Sequence, residues 1–254
     1  MKQKTFYIVD GHSQIFRAYY APAAFRNRGK GLGAAYIFTR MLLRLLEKGK
    51  PDAIVCALDS SGSGNVRSEY FPEYKAHREP MPEDLAEQMP TIRKLVEAMG
   101  IPVVEGGDHE ADDVIGTLAK DAEKAGFQVR LVSRDKDLKQ LLSGNIYLFD
   151  VDDGSLYGPD ELKTDLGLTP AQFVDYLALM GDTSDGIPGA VGVGPKRAQE
   201  LLTKYGSLDK VLASAEQIAQ PKLRENLIAF RKQAPISHKL ATIITDMKLP
   251  IKAS

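Results

Sequence analysis

The chain has 254 residues, of which 43% are hydrophobic and 26% are charged, and its net charge is −1. This composition is ordinary for a globular protein and leaves room for one large α/β domain or for a domain with an added module. No apolar run approaches the ~20 residues that a membrane-spanning helix needs, so we expect no membrane segment. The near-neutral charge argues only weakly against a nucleic-acid partner, because acids gathered in one metal site would leave the remaining surface more basic.

The first residues and the single cysteine indicate the cellular setting. Residues 1–5 lead directly into an apolar strand pattern, whereas a signal peptide has a long apolar core and a cleavage site. Cys56 lies inside the apolar run 53–58 and cannot form an internal disulfide, so we predict a buried thiol. A reducing, cytoplasmic location fits these features.

Strand-like and helix-like segments alternate through the first 150 residues. The predicted strands are 6–9, 53–58, 102–105, 129–133 and 146–149, and the predicted helices are 33–48, 83–99, 111–125 and 136–142. This order predicts a mainly parallel central sheet with helices on both faces. From residue 159 onward the apolar spacing is almost entirely helical, so we predict an α/β domain at 1–158 and a helical module at 159–254.

Two stretches do not fit this alternation. Residues 60–82 lack a helical period at their start and then carry aromatic and basic side chains. A segment of this length between a strand and a helix is either disordered or functional, and its content favours function. Residues 181–194 combine two acids with several glycines and precede Pro195, which suits the first position of a helix.

Nine acids follow a strand, begin the helix after one, or lie in the glycine loop: Asp10, Asp59, Glu110, Asp112, Asp113, Asp135, Asp137, Asp182 and Asp185. In an open parallel sheet the carboxyl ends of the strands meet at one edge, so these side chains should converge. Convergent carboxylates require a compensating positive charge, and oxygen ligands suit Mg²⁺ or Mn²⁺. Two such ions can promote phosphodiester hydrolysis. Taken singly, each acid could instead be a helix cap or a turn residue.

Five short motifs occur in a fixed order: Val9-Asp10-Gly11, Leu58-Asp59, Glu110-Ala111-Asp112-Asp113, Asp135-Lys136-Asp137 and Gly181-Asp182-Thr183-Ser184-Asp185. In this order they resemble the 5′-nuclease family, which contains flap endonucleases and the 5′→3′ exonuclease domains of bacterial DNA polymerase I. Residues 71–78 resemble the helical arch of that family, and residues 189–197 resemble its helix–three-turn–helix motif. The resemblance implies a PIN-like nuclease core with an arch at 60–82 and a helix–three-turn–helix at about 177–205.

The resemblance also implies roles for individual residues. The first metal cluster would contain Asp10, Asp59, Glu110 and Asp112, with Asp113 at its edge, and the second would contain Asp135, Asp137, Asp182 and Asp185. Lys75 would contact the scissile phosphate, and Arg78 matches the arginine of the arch. The DNA-binding set would be Arg17, Tyr74, Gly189, Gly192, Gly194, Lys196 and Arg197, with a K⁺ ion held by backbone carbonyls of the glycine turn.

Several of these assignments have simpler alternatives. Tyr74 would stack on an unpaired base, but it could be a core or hinge aromatic. Arg17 could be a solvated surface charge, and the glycines could form a plain turn between two helices. Gly186 stands where the family usually has Asn, which leaves the geometry of this loop open. His109, beside the acids, could bind a metal itself, orient another metal ligand, or lie at the surface.

The function predicted from these features is metal-dependent 5′→3′ exonuclease and 5′-flap endonuclease activity in DNA replication and repair. The expected partner is DNA with a junction between duplex and 5′ single strand, and we expect a monomer that is fused to a DNA polymerase or cooperates with one. The alternative is a catalytically degenerate module that binds junction DNA. A hydrolase of small phosphates would also use acids at strand ends, but it would not explain residues 71–78 or the glycine turn.

Overall fold

The computed structural model describes residues 3–21, 31–60 and 64–251, so residues 61–63 of the predicted arch lie outside the described residues. One six-stranded sheet has the strand order β3-β2-β1-β4-β5-β6. Its strands are β1 Thr5–Asp10, β2 Ala53–Leu58, β3 Val103–Glu105, β4 Gln128–Val132, β5 Ile146–Phe149 and β6 Leu156–Tyr157. All neighbouring pairs are parallel except β5 and β6, which are antiparallel.

The central strands form because apolar side chains occupy both of their faces. In β1, Phe6 and Ile8 face one core cluster, while Tyr7 and Val9 face the other. Side chains alternate between the two faces of a strand, so a continuous apolar run indicates a strand that is covered on both sides. Cys56 in β2 is fully buried, which confirms the predicted core thiol.

Helices cover both faces of this sheet. The helices of the first half are α1 Gly11–Tyr19, α2 Gly33–Arg44, α3 Val66–Tyr70, α4 Glu83–Ala86, α5 Met89–Ala98 and α6 Ala111–Lys124. A π-helical turn, Leu45–Gly49, follows α2. Helices α1, α2 and α5 contribute to one core cluster, and α6 lies in the other.

Two predicted helices differ in the structure. The predicted helix 83–99 is divided into α4 and α5, since Pro90 lies at the start of α5 and cannot donate the hydrogen bond that a continuous helix requires. The Gln88 side chain at this break accepts hydrogen bonds from the backbone amides of Ala34 and Ala35. The predicted helix 136–142 is a short 3₁₀ helix, Asp137–Leu141.

The second half of the chain is helical, as predicted. Its helices are α7 Pro159–Leu166, α8 Pro170–Met180, α9 Pro195–Tyr205, α10 Leu208–Ala213, α11 Pro221–Phe230 and α12 Ala234–Ala241, with a 3₁₀ turn at Ala215–Gln217. Their buried side chains join the same apolar cluster as one face of the sheet. The domain division at 158/159 stays a prediction, since the core continues across it. No helix within residues 3–21, 31–60 and 64–251 has the length and apolar character to cross a membrane.

The strand order places a crevice at one edge of the sheet. Chain connections run in opposite directions from β1, through β2 to β3 on one side and from β4 to β5 on the other. In open α/β sheets ligands bind beyond the carboxyl ends of the strands where the order reverses. Here that position lies between the ends of β1 and β4, where Asp10 ends one strand and Ser133 follows the other.

Candidate active site

Seven of the nine predicted acids line one cavity of about 240 Å³. They are Asp10, Asp59, Glu110, Asp112, Asp135, Asp137 and Asp185. The ends of four strands bring six of these residues together, and the glycine loop contributes Asp185. The wall of the cavity also contains Lys75, Arg78 and Arg67. The predicted convergence of carboxylates is therefore present.

Hydrogen bonds hold the acids at the ends of β1 and β4. Ser133 Oγ donates to Asp10 Oδ2 at 2.6 Å and accepts from the backbone amide of Asp135 at 2.9 Å. The amide of Ser13, in the first turn of α1, donates to Asp10 Oδ1 at 3.1 Å. Asp135 Oδ1 in turn accepts from the amide of Asp137 at 2.8 Å. These contacts fix carboxylate orientations before any ligand binds.

Asp59 and its neighbours complete the other side of the cavity. The backbone amide of Ala111, at the start of α6, donates to Asp59 Oδ1 at 2.7 Å. The backbone amide of Asp59 donates to His12 Nδ1 at 3.1 Å. Asp59 therefore joins the end of β2 to the start of α6. His109, which the sequence left open as a ligand, is not among the residues lining the cavity.

Several of these carboxyl groups have raised pKa values. Burial raises the pKa of Asp10 to about 6 and the pKa of Asp137 to about 7, and the nearby charge of Asp135 acts in the same direction on both. Burial and the charges of Asp135 and Asp10 raise the pKa of Asp112 as well. Mutual repulsion of this kind is what a bound cation relieves. Raised pKa values thus mark the part of the cavity where positive charge is missing.

Asp137 offers a direct test of whether the residues fit a metal ion. Its Oδ1 atom is buried and makes no hydrogen bond within the described residues. Buried acceptors are almost always satisfied, so an unpartnered carboxylate oxygen among other carboxylates fits a metal ligand. The donors are all oxygens, which suits Mg²⁺ or Mn²⁺ better than Zn²⁺. Among residues 3–21, 31–60 and 64–251, however, no three acidic, histidine or cysteine side chains already stand in a metal-binding arrangement.

Cationic side chains pair with acids around the cavity. Lys75 Nζ pairs with Glu110, and Arg78 Nε donates to Asp185 Oδ1 at 3.1 Å. Although burial opposes the change, the charge of Lys75 lowers the pKa of Glu110. The pairs that involve Lys75 and Arg78 occupy carboxylates that a metal would need. These two ion pairs explain why the acids line one cavity but do not yet have the arrangement of a metal site.

The arch segment lies directly on the second acidic loop. The backbone amide of Lys75 donates to the carbonyl of Asp185 at 2.8 Å. Lys75 has a φ of 55°, in the left-handed region that few residues other than glycine adopt. Gly186 has a φ of 69°, and a Cβ there would lie 2.5 Å from the carbonyl oxygen of Glu73. Gly186 therefore permits a close backbone contact that any larger residue would obstruct.

The structure does not bring two of the predicted metal ligands to the cavity wall. Asp113 is fully buried and forms an ion pair with Arg67, with an Nη1–Oδ2 distance of 2.7 Å. Asp182 lies in the glycine loop, where Lys136 Nζ donates to its Oδ2 at 2.7 Å. Although burial acts in the opposite direction, hydrogen bonds from Lys136 and Ser184 hold the pKa of Asp182 at about 2.

Two residues expected to bind DNA occupy other positions. Tyr74 is 4% exposed, packs against Ile187 and Leu240, and donates its hydroxyl to Glu110 at 2.9 Å. Tyr74 lines the cavity, but so little of its side chain is exposed that the alternative of a core aromatic describes it here, and stacking on a base stays a prediction. Arg17 lies outside the cavity and pairs with Asp152.

The glycine turn forms a tight hairpin between α8 and α9. A Cβ on Gly189 would lie 2.3 Å from the carbonyl oxygen of Met180, so only glycine allows this close approach. Gly194 precedes α9, and Lys196 in the first turn of that helix is exposed. The start of a helix carries unpaired amides and a partial positive charge, which favour an anion. The predicted phosphate-binding turn is thus built as a helix start with exposed basic charge.

Two backbone carbonyls of this turn accept hydrogen bonds from the side chains of Asn226 and Arg197. Asn226 Nδ2 donates to the carbonyl of Val191 at 2.7 Å, and Arg197 Nη1 donates to that of Gly192 at 2.9 Å. These contacts stabilise the turn without any ion. The K⁺ site at these carbonyls stays a prediction.

Several supporting residues were missed by the sequence analysis. Ser133 could have been noticed because it follows β4 and lies two residues before the acidic motif that begins at Asp135. Asn65 donates to Glu110 Oε1 at 2.8 Å, and Arg67 lies 3.4 Å from Glu110 Oε2. Both belong to the segment singled out for its length, but no local pattern indicates their partner.

Two family models together match residues 5–254 of the chain. Residues 5–167 match the model of the 5′-3′ exonuclease, N-terminal resolvase-like domain, and residues 168–254 match that of the 5′-3′ exonuclease, C-terminal SAM fold. The chain belongs to the 5′-3′ exonuclease family. The resemblance found in the motifs is therefore confirmed for the whole described length.

Curated relatives of this exonuclease chain are DNA polymerases. DNA polymerase I of Bacillus subtilis is 42% identical over 258 residues, covering 100% of this chain and 29% of the relative. DNA polymerase I, thermostable, of Thermus thermophilus is 40% identical over 245 residues, covering 96% of this chain and 29% of the relative. The chain thus spans less than a third of the length of these relatives.

Solved structures support the exonuclease fold. The T5 D15 protein co-crystallized with metal ions has a TM-score of 0.80 at 23% identity, covering 95% of this chain and 90% of that chain. The catalytic core of Rad2 in complex with DNA substrate has a TM-score of 0.62 at 16% identity, covering 97% of this chain and 81% of the other. At this identity the likeness concerns the fold, and it confirms the α/β core with a helical module.

Proposed function

We propose that this chain is a metal-dependent 5′-nuclease that hydrolyses phosphodiester bonds in DNA. The observation that carries the proposal is the convergence of seven carboxylates in one cavity, with Lys75 and Arg78 in its wall. Carboxylates that gather divalent cations and cations that meet phosphate are the two requirements of phosphodiester hydrolysis. The T5 and Rad2 relatives, with metal ions and with DNA substrate respectively, support the same chemistry here.

The residues divide into two candidate metal-binding groups. Asp10, Asp59, Glu110 and Asp112 would hold one divalent cation, and Asp135, Asp137 and Asp185 would hold another, with Asp182 available after separation from Lys136. Mg²⁺ or Mn²⁺ would supply an activated water and stabilise the leaving oxygen. Ser133 and the amides of Ser13 and Ala111 would keep the carboxylates oriented throughout the reaction.

The cations of the arch would act on the substrate. If Glu110 and Asp185 held divalent cations, Lys75 and Arg78 would lose these partners and would be free to pair with the scissile phosphate. The phosphate would thereby be held in place and its developing negative charge stabilised. The products would carry a 5′-phosphate and a 3′-hydroxyl.

The substrate would be a junction of duplex and 5′ single strand. The hairpin before α9 would hold the duplex through Gly189, Gly192, Gly194, Lys196 and Arg197, aided by a K⁺ ion at the turn. This hairpin follows the loop of Asp182 and Asp185 in the sequence, so the gripped duplex and the cut would be a fixed distance apart. The protein would act as a monomer in DNA replication and repair. It would be fused to a DNA polymerase or cooperate with one.

Cleavage of end-labelled DNA tests this function. Flap, nicked and blunt duplexes with a 5′ label would be incubated with Mg²⁺, Mn²⁺ or EDTA, and the products sized. We expect release of flaps and short 5′ products with either metal and none in EDTA. Binding of the junction without cleavage under any metal condition would contradict the enzyme proposal and favour a DNA-binding module.

A further inference from the structure

Arg67 stands at the centre of a buried network beside the cavity. Its side chain is 3% exposed, and its guanidinium forms a two-point contact with Asp113, Nη1 to Oδ2 and Nη2 to Oδ1, each at 2.7 Å. Nε donates to the carbonyl of Leu240 at 3.2 Å, and Nη2 also donates to that of Thr242 at 2.8 Å. Every nitrogen of the guanidinium therefore has an acceptor.

Both carboxylate oxygens of Asp113 accept hydrogen bonds within this network. Beyond the two contacts with Arg67, its Oδ1 accepts from the amide of Ile244 at 2.8 Å and its Oδ2 from the amide of Glu110 at 3.3 Å. Each carboxylate oxygen thus has two N–H donors. Turning this group to a metal ion would leave the buried charge of Arg67 without its partner, which is costly in a protein interior.

The network joins three parts of the chain around the cavity. Arg67 belongs to α3, which leads into the segment of Lys75 and Arg78. Asp113 lies in the first turn of α6, directly after Glu110 and Asp112. The carbonyls of Leu240 and Thr242 come from the end of α12 and the residues after it, in the region of the second family model. One side chain therefore fixes the positions of three cavity walls.

Arg67 also lies near a candidate metal ligand. Its Nη1 is 3.4 Å from Glu110 Oε2, while Asn65, just before α3, donates to Glu110 Oε1 at 2.8 Å. Arg67 and Asn65 therefore help to orient the Glu110 carboxylate, together with Tyr74 and Lys75. The guanidinium of Arg67 is held by four acceptor atoms of Asp113, Leu240 and Thr242, so it is fixed in place, whereas the ammonium of Lys75 lies at the end of a flexible side chain.

We propose that Arg67 is a positioning residue of the nuclease centre, and that Asp113 is its buried counter-ion and not a metal ligand. This inference rests on the proposed nuclease function. It reassigns Asp113, which the sequence motif had placed at the edge of the first metal cluster. Arg67 holds Glu110 and the base of the arch in the geometry that cleavage requires, while metal binding uses the acids that line the cavity.

A spectroscopic measurement on the unmodified protein tests the counter-ion. The Arg67 Nη1–H resonance, whose nitrogen donates to Asp113 Oδ2, would be assigned in ¹H–¹⁵N spectra by comparison with Arg67→Lys, then followed during titration of the DNA-free protein with Mg²⁺. We expect a slowly exchanging signal that stays in place at saturating Mg²⁺. A shift of this signal to the position and exchange rate of a free arginine would mean that Asp113 leaves Arg67 for the metal, and would overturn the proposal.

Metal stoichiometry gives an independent measurement. Mn²⁺ binding to the DNA-free protein would be counted for Asp113→Asn and for Asp112→Asn, the adjacent acid that lines the cavity. We expect Asp112→Asn to lose a bound ion or weaken its binding at least about tenfold, and Asp113→Asn to keep the full number of ions. Equal loss of an ion in both variants would contradict the counter-ion role.

Steady-state cleavage of a 5′-flap substrate tests the positioning role. Arg67→Lys keeps the charge but loses the two-point contact, so we expect kcat to fall by about 10- to 100-fold with KM little changed. The double variant Arg67→Lys with Asp113→Asn should have a kcat no lower than that of the less active single variant, since both substitutions act through one contact. Additive losses, or an unchanged kcat in Arg67→Lys, would overturn it. Absence of cleavage by the unmodified protein would refute the function and leave the spectroscopic result standing.

Discussion

At the scale of single residues, the cavity is organised by repulsion among acids and by the cations that relieve it. Asp10 and Asp137 have raised pKa values because burial and a neighbouring carboxylate disfavour their charged forms. Lys75 and Arg78 compensate other acids directly. Lys75 and Arg78 pair with acids in the metal-free protein and would pair with phosphate once divalent cations had bound those acids. This exchange of partners has measurable consequences.

The raised pKa of Asp137 predicts how the metal-free protein responds to pH. Its folded pKa is about 7, above the ordinary 3.8, so the folded state binds the proton more tightly between these values. Its contribution to stability is therefore present below about pH 4 and is lost as the pH rises to about 7. In EDTA at pH 8, Asp137→Asn should raise the free energy of unfolding by about 1–2 kcal/mol, after discounting for partial exposure, and should change little at pH 4.

Denaturant unfolding at both pH values measures this effect. Asp121→Asn, on the outer face of α6, is the matched control and should show no such dependence. A destabilised Asp137→Asn at pH 8 would show that the carboxylate is favourably placed without metal, against this account.

Removal of Lys75 should change metal binding and catalysis in opposite directions. Without Lys75, Glu110 loses one of its two neighbouring cations, so the DNA-free protein should bind Mn²⁺ more tightly. The scissile phosphate would lose a stabilising charge, so kcat should fall by about 100-fold or more. Titration calorimetry and single-turnover cleavage of Lys75→Ala measure the two effects, with exposed Lys163→Ala on α7 as the control. Parallel loss of metal affinity and of kcat would contradict the competition between Lys75 and metal.

At the scale of elements, the arch segment and the acidic loop act as one unit. The amide of Lys75 donates to Asp185, and Gly186 leaves room for the carbonyl of Glu73. The asparagine that the family usually has at this position would bring a Cβ into that space. Gly186, which departs from the family pattern, therefore permits a close contact between this loop and the arch segment.

Gly186→Asn should therefore displace the arch. The hydrogen bond of the Lys75 amide should open, so its hydrogen exchange should become faster, and kcat should fall by about 10- to 100-fold because the cations are misplaced. Gly100→Ala is the control, since Gly100 has a φ of 74° but no atom within 4 Å of an added Cβ. Unchanged protection of the Lys75 amide in Gly186→Asn would contradict the contact.

The hairpin before α9 should contribute sequence-independent binding to the duplex. Lys196→Ala should weaken binding of a plain duplex and reduce the slope of log K against log salt by about 1, because one phosphate contact is lost. Lys204→Ala, at the far end of α9 beside Tyr205, serves as the control. Fluorescence anisotropy at several salt concentrations measures both. A slope identical to that of the unmodified protein would remove Lys196 from the DNA interface.

What the sequence could predict depended on local pattern. The five parallel strands were visible as apolar runs, but β6 and α3 were not, since two and five residues carry no clear period. Of the nine predicted acids, the six that line the cavity from strand ends could be predicted because parallel strands end at one edge of the sheet, and Asp185 was indicated by the glycine loop. The Arg67–Asp113 pair joins residues 46 apart, and the buried position of Tyr74 depends on α12, so neither could be read from nearby residues.

At the scale of the whole molecule, the fold turns distant segments into one centre. The reversal of strand order between β1 and β4 creates the crevice, and the helical half closes it through Leu240, Ala241 and Ile243. One apolar cluster extends from the sheet into that half, so the cavity wall and the hairpin rest on a common core. In the proposed function, this arrangement would hold duplex DNA at a fixed distance from the acids.

In the proposed function, the acids in this cavity bind the divalent cations on which cleavage depends. The most direct measurement counts Mn²⁺ bound to the DNA-free protein and, on the same samples, the cleavage rate of an end-labelled 5′ flap. We expect Asp135→Asn with Asp137→Asn to lose at least one ion and nearly all cleavage, while Asp121→Asn with Asp160→Asn, changed outside the cavity, keeps both. Full Mn²⁺ binding and normal cleavage in the first variant would contradict the account.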